Sequence, residues 1–177
     1  MDRFIQCVVF DRNDDIRVLQ RRIFWYLHLT DLWFIVSERP IEKMVPPPNY
    51  EHRFVFSNDI NALSSHVHST DVVLYSKTGE IPEPITILAI WSQVENEPIH
   101  IFHTLYHKTF QRPLKVLPGA VIFRGKLLNS KTVDQLLNWQ DTGTIISGWY
   151  LYQMEFNDLP EHDSVLSELL KRFSSSV

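Results

Sequence analysis

"DVVLYSKTGEIPEP" (residues 71–84) decides how the chain is read. Val72, Val73, Leu74 and Tyr75 form a short apolar run, the pattern of a buried strand. The run stops at a polar Lys77-Thr78-Gly79 turn. Pro82 and Pro84 then open a second apolar segment, "PITILAIWSQ", which predicts a helix with proline in its first turn. A strand that ends in a polar loop ahead of a helix is where open α/β sheets hold their ligands.

Working outward, "FIQCVVF" (residues 4–10) reads as a buried strand, and "DRNDD" supplies turn chemistry with Asn13 as a helix N-cap. Ile16, Leu19, Ile23, Tyr26 and Leu27 recur at helical spacing and predict a helix over residues 14–28. "LWFIVSE" is the next strand, so the chain opens with a βαβ unit and a parallel pair. Three prolines at 46–48 make an irregular connection before the strand "HRFVFS" and the brief helix "DINALSSH". Beyond the opening stretch, "PIHIFHTLYHKTF" and "LKVLPGAVIFRG" read as strands, the latter interrupted at Pro118-Gly119. Ser130 is placed to cap a short helix that buries Val133, Leu136 and Leu137. "GTIISGWYLYQMEF" reads as a long late strand. Asp163 then caps a final amphipathic helix through Val165, Leu166, Leu169, Leu170 and Phe173. The expected fold is one α/β domain over residues 1–177 whose second half is richer in strands.

At 177 residues and 44% hydrophobic, the chain supports one sizeable core rather than two domains. A net charge of −4 gives no general electrostatic footprint for nucleic acid, so none is expected as a partner. One cysteine, Cys7, excludes an internal disulfide and suits a reducing compartment. The first fifteen residues, "MDRFIQCVVFDRNDD", are broken by charge and read as neither signal peptide nor membrane span. A cytoplasmic protein without membrane insertion is the expectation.

The chain holds no GxSxG, P-loop or GxGxxG motif. His100, His103 and His107 would share a face in a helix and form a metal site, the basis of a histidine-metal hydrolase reading. The surrounding β-branched and aromatic residues favour a strand, which turns His100 away from the other two. Cys7 lies inside an apparent core strand, where burial without reactivity is expected. Arg17, Arg21 and Arg22 fit a solvated helix face.

The order "LQRRIFWYLHLTDLWFIVSE", "DVVLYSKTGEIPEP", "SGWYLYQMEF" resembles glycosyltransferase family 17, which includes β-1,4-N-acetylglucosaminyltransferases. Leu19, Arg22, Ile23, Asp31, Ile35 and Val36 match the family's N-terminal segment. Ser76, Glu80, Ile81 and Pro82 match its "SDxDEIP" motif, and Gly148 and Trp149 match the start of "GWH". The resemblance implies a GT-A fold, a single Rossmann-like α/β domain with a mixed, mostly parallel central sheet flanked by helices, that binds a UDP- or GDP-sugar and transfers the sugar, with inversion, to a glycan, glycoprotein or other hydroxyl acceptor. It places the nucleotide near Asp11, Arg12, Asp14 and Asp15 and the diphosphate against Ser76, Lys77 and Gly79, with Trp149 and Tyr150 from the late strand. Trp149 could form a sugar-stacking platform, but aromatic base rates favour core.

In the family, the motif's two aspartates bracket a divalent cation. Here those positions are Lys77 and Gly79, and the histidine of "GWH" is Tyr150. Lysine has no acceptor, and glycine offers only backbone. No family-type metal and no other cofactor is therefore expected. In one reading Lys77 takes over the cation's electrostatic role. In another the domain is a catalytically inactive binding module, a pseudoenzyme. In the plainest, residues 77–79 are an exposed turn. Glu80, in the donor loop, and Glu155 and Asp158, after the late strand, are the candidate general bases, with Glu80 and Glu155 preferred. The donor sugar, the acceptor, the linkage and the oligomeric state are not legible in the sequence.

Overall fold

The computed structural model describes residues 2–82, 84–107, 112–137 and 144–147. Its centre is β1 (Phe4–Phe10), buried almost throughout. A strand apolar on both faces belongs in the middle of a parallel sheet covered on both sides. β1 lies parallel to β2 (Leu32–Ser37), with Ile5 opposite Leu32, and parallel to β4 (Val72–Lys77), with Ile5 opposite Val73. β3 (Phe54–Ser57) extends the parallel set beyond β2. On the other side, β6 (Arg112–Arg124) runs antiparallel to both β4 and β5 (Ile99–His107), and β7 (Thr144–Ser147) pairs in parallel with β5. The order is β3-β2-β1-β4-β6-β5-β7. This is the mixed, mostly parallel sheet that the resemblance implies.

Alternation along β1 divides the core. Phe4, Val8 and Phe10 pack with α1 (Ile16–Tyr26) and α2 (Pro84–Ile90), whereas Ile5 and Cys7 pack with α3 (Val133–Leu137) and the 3₁₀ segment Ile60–Ser65. Helices on both faces complete the α/β layering.

Four local readings change. α1 is shorter than residues 14–28, and its cap is Asp15 rather than Asn13. The Asp15 carboxylate accepts from the Arg17 backbone N–H at 2.9 Å and also holds the Arg17 guanidinium, a reach that Asn13, two residues upstream, does not have. α3 is capped by Thr132, not Ser130, through a reciprocal box with Gln135: the Gln135 N–H donates to Thr132 Oγ1 (3.3 Å), and the Thr132 N–H donates to Gln135 Oε1 (2.9 Å). β6 runs unbroken through Pro118-Gly119. Pro118 lies outside the stretch paired with β4, which begins at Val121, so its missing N–H breaks no bond there; the register with β5 shifts beside it instead. Only residues 144–147 of the predicted late strand are described. Gly148, Trp149, Tyr150, Glu155 and the helix expected over residues 163–173 lie outside the described residues. Among the described residues no helix is long and apolar enough to cross a membrane.

Candidate functional site

From β1 the chain moves one way to β2 and β3, then returns to β4 on β1's other side. Connections therefore leave β1 and β4 in opposite directions, and the carboxyl ends of these two strands, the general ligand position in such sheets, are the candidate crevice. Its walls are the loop after β1 (residues 11–15) and the loop after β4 (residues 77–82).

The β1 loop is wired by its own short polar side chains. Asp14 Oδ2 accepts from the Asp11 N–H at 2.7 Å, and the Asp14 N–H donates to the Asp11 carbonyl at 3.0 Å. Asp15 is committed to the helix cap, and hydrogen bonding to Arg17 holds its carboxyl below the usual range. Asp11 and Arg12 are exposed at the crevice rim. Arg39, from beyond β2, donates to the Asp14 carbonyl at 3.2 Å and lies over the Phe10 ring.

The β4 loop is held from below by α1. Arg22, fully buried, donates through Nη1 to the Lys77 carbonyl (2.8 Å) and the Glu80 carbonyl (3.3 Å), with the Thr78 carbonyl at 3.5 Å. Its other nitrogens reach Gln6 Oε1 (3.1 and 3.0 Å) and Ser76 Oγ (2.5 Å), and Gln6 Nε2 donates to Thr30. One turn along, the Tyr26 hydroxyl donates to the Pro82 carbonyl. Within the loop, the Thr78 N–H and hydroxyl both donate to the Val9 carbonyl at 3.1 Å, binding the loop to the end of β1. The Lys77 N–H donates to Glu80 Oε1 at 3.0 Å, and the Glu80 N–H to the Lys77 carbonyl at 3.0 Å.

Arg22 corrects the expectation of a solvated helix face: among the described residues it is the largest charged side chain in the core. The signal was present: Leu19, Arg22, Ile23 and Tyr26 occupy one helical face, so Arg22 sits at an apolar position. A buried guanidinium persists only where acceptors surround it, and the loop carbonyls supply them.

The candidate residues separate by depth. Ser76 lies beneath the loop with its hydroxyl on Arg22; Lys77 and Gly79 are exposed at the loop's surface; Glu80 is half-buried between them. Burial pushes the Glu80 carboxyl up, against the opposing pull of the Lys77 N–H and the Lys77 and Arg22 charges. Burial also pushes the half-buried Tyr75 hydroxyl up to about 12, with further contributions from Cys7, Glu80, Asp11 and Asp134. Cys7, at about 12 through burial, stays a neutral thiol. Lys77 and Gly79 do not fit a family-type divalent cation: neither side chain has an acceptor atom. The histidine-metal arrangement also lacks its helix. His100, His103 and His107 lie on β5, with His100 buried and paired to Val121, and among the described residues no three His, Cys, Asp or Glu gather as ligands.

No protein-family model and no curated protein matches the sequence. Solved structures match by fold. A 4-diphosphocytidyl-2C-methyl-D-erythritol synthase aligns at a TM-score of 0.58 and 12% identity, over 90% of this chain and 96% of its own. The corresponding synthase from Anaerococcus prevotii aligns at 0.50 and 12%, over 93% and 99%. HddC from Yersinia pseudotuberculosis aligns at 0.51 and 10%, over 83% and 90%, and a further HddC structure is a complex with GMP-PN. These likenesses are to a diphosphocytidyl-product synthase and to HddC rather than to glycosyltransferase family 17, so the family resemblance reaches no further than the fold. The chain is an α/β domain with the Rossmann-like fold of those structures.

Proposed function

We propose that the domain binds a nucleotide-sugar across the β1–β4 crevice and transfers the sugar to a hydroxyl acceptor without a divalent cation between residues 77 and 79. The observation that carries this reading is the β4 loop at the switch point: a backbone held by Arg22 and Thr78 that carries the exposed Lys77 beside the loop of the exposed Asp11. Asp11 and Arg12 line the nucleotide end. Asp14 and Asp15 shape that wall, and Ser76 holds the loop's underside. The resemblance adds Trp149 and Tyr150, outside the described residues, as contacts to the sugar. In the transfer, the acceptor oxygen bonds to the anomeric carbon while the carbon–oxygen bond to the diphosphate breaks. The electron pair leaves with the nucleoside diphosphate, and the acceptor proton passes to a base. Lys77 stabilises the departing charge; a pair of unit charges ~4 Å apart attracts by roughly 4 kcal/mol at an effective dielectric of ~20. Glu80 is the base within the loop, because a carboxyl raised by burial is the stronger proton acceptor when ionised. Glu155 is the base if the acceptor lies along the late strand.

A second reading, nucleotidyl transfer, is favoured by the fold shared with a synthase whose named product carries a diphosphocytidyl group. It uses the same crevice: an oxygen of a sugar phosphate bonds to the α-phosphorus of a nucleoside triphosphate, the bond to the β-phosphate breaks, and pyrophosphate leaves. Incubation with UDP- and GDP-sugars and hydroxyl acceptors separates the readings. Release of nucleoside diphosphate in the presence of EDTA, lost in Lys77→Ala, supports sugar transfer. Release of pyrophosphate from a nucleoside triphosphate and a sugar phosphate supports nucleotidyl transfer. Binding of a nucleotide-sugar with neither release makes the domain a binding module, and no binding of any nucleotide rejects all three.

A further inference from the structure

The β4 loop carries a donor that neither the ammonium nor the loop's sequence explains. Across residues 77–80, the Lys77 N–H is taken by Glu80, the Thr78 N–H by Val9 and the Glu80 N–H by Lys77. Among the described residues no acceptor meets the Gly79 N–H. Its direction is fixed by Arg22. In a trans peptide the carbonyl and the following N–H point opposite ways. The Thr78 carbonyl lies on the Arg22 side at 3.5 Å, between the Lys77 and Glu80 carbonyls bound to the same nitrogen. The Gly79 N–H therefore points away from the core, on the surface where Gly79 and Lys77 are exposed.

The fold gives no reason for glycine at this position. A Cβ at Gly79 would meet nothing within 4 Å, and its φ lies outside the left-handed region that favours glycine. Gly125 shows the opposite case: a Cβ there would lie 2.0 Å from the His68 carbonyl oxygen. A glycine that the protein's own packing does not require leaves room for something outside the protein to approach the backbone.

We infer that Arg22 is a positioning residue that turns the 77–82 loop into a phosphate clamp, in which the outward Gly79 N–H and the Lys77 ammonium together bind a diphosphate oxygen. Oriented backbone N–H groups beside a cationic side chain form a recurrent anion site. The inference rests on the nucleotide-sugar reading for its ligand, but its contact is with phosphate alone.

The test uses the full chain and three probes: inorganic pyrophosphate, UDP-glucose and GDP-mannose, each titrated in EDTA and read by melting temperature and calorimetry. Gly79→Ala is expected to leave the unliganded melting temperature unchanged and to weaken pyrophosphate about tenfold or more, since the methyl group blocks an approach that a charge-assisted bond needs. Arg22→Lys is expected to weaken pyrophosphate in the wild-type background and to have little further effect in Gly79→Ala, because both act through one N–H. A merely structural Arg22 would lower affinity equally in both backgrounds, which would overturn the positioning role. Unchanged affinity in Gly79→Ala, or a lower unliganded melting temperature, overturns the clamp. Pyrophosphate binding without either nucleotide-sugar supports the clamp and rejects the nucleotide-sugar reading for these donors. No binding of any probe by the wild-type protein rejects both.

Discussion

The two walls of the crevice differ in their main supports, although Arg39 also reaches the Asp14 carbonyl and Glu80 also closes onto Lys77 within its own loop. Asp14 and Asp15 hold the loop after β1 through bonds spanning two or three residues. The loop after β4 is held by Arg22 and Tyr26, more than fifty residues earlier in the chain. Local wiring leaves a loop exposed and adjustable at little energetic risk. Remote wiring gives rigidity, at the risk that one substitution orphans several buried groups at once.

The largest expected effect tests that contrast. Arg22→Met removes the donor that Gln6, Ser76 and the loop carbonyls share, and should cost about 3–5 kcal/mol in urea unfolding. A loss under about 1 kcal/mol would mean that water or rearrangement replaces the guanidinium. Lys77→Ala comes next and touches function instead of stability: nucleotide-sugar affinity should fall about tenfold or more, while the urea midpoint stays put, since exposed side chains contribute little to folding. On the β1 side, Asp15→Ala removes a helix cap and should cost about 1 kcal/mol. Asp15→Asn should recover most of that, which identifies the cap, not the ion pair with Arg17, as the source.

The smallest effect is a pH dependence at Glu80. Burial raises its folded-state pKa above the unfolded value, so in the window between them the folded chain binds more protons. Stability therefore falls as pH rises through that window, and the ionised carboxylate is a burden at neutral pH. Glu80→Gln keeps an acceptor for the Lys77 N–H and removes the charge. Its melting temperature should exceed the wild type's slightly at neutral pH and match it below the carboxylate range. A gain that persists at acid pH would assign the effect to packing.

The same contrast separates what the sequence discloses from what it conceals. β1, β2 and β4 were legible because continuous apolar runs have few other uses. The parallel pairing followed from the intervening helix and loop lengths, and the exposed Lys77-Gly79 turn from its own composition. Arg22 was misread because charge outweighs position when a helix face is judged without its neighbours: its acceptors come from β1, β4 and the loop beyond, contacts that no local pattern contains. Asn13 and Ser130 were displaced as caps for a smaller reason. Asp15 and Thr132, each two residues further on, make the same bond with better reach.

The proposed function puts a diphosphate on the β4 loop, with Lys77 in place of a cation. Calorimetric titration of UDP and GDP into wild type and Lys77→Ala, in EDTA and again in Mn²⁺, tests it most directly. One nucleoside diphosphate is expected to bind the wild type equally in both buffers and to bind Lys77→Ala at least about tenfold more weakly in EDTA. Wild-type binding that appears only with Mn²⁺, or that survives Lys77→Ala unchanged, would contradict it.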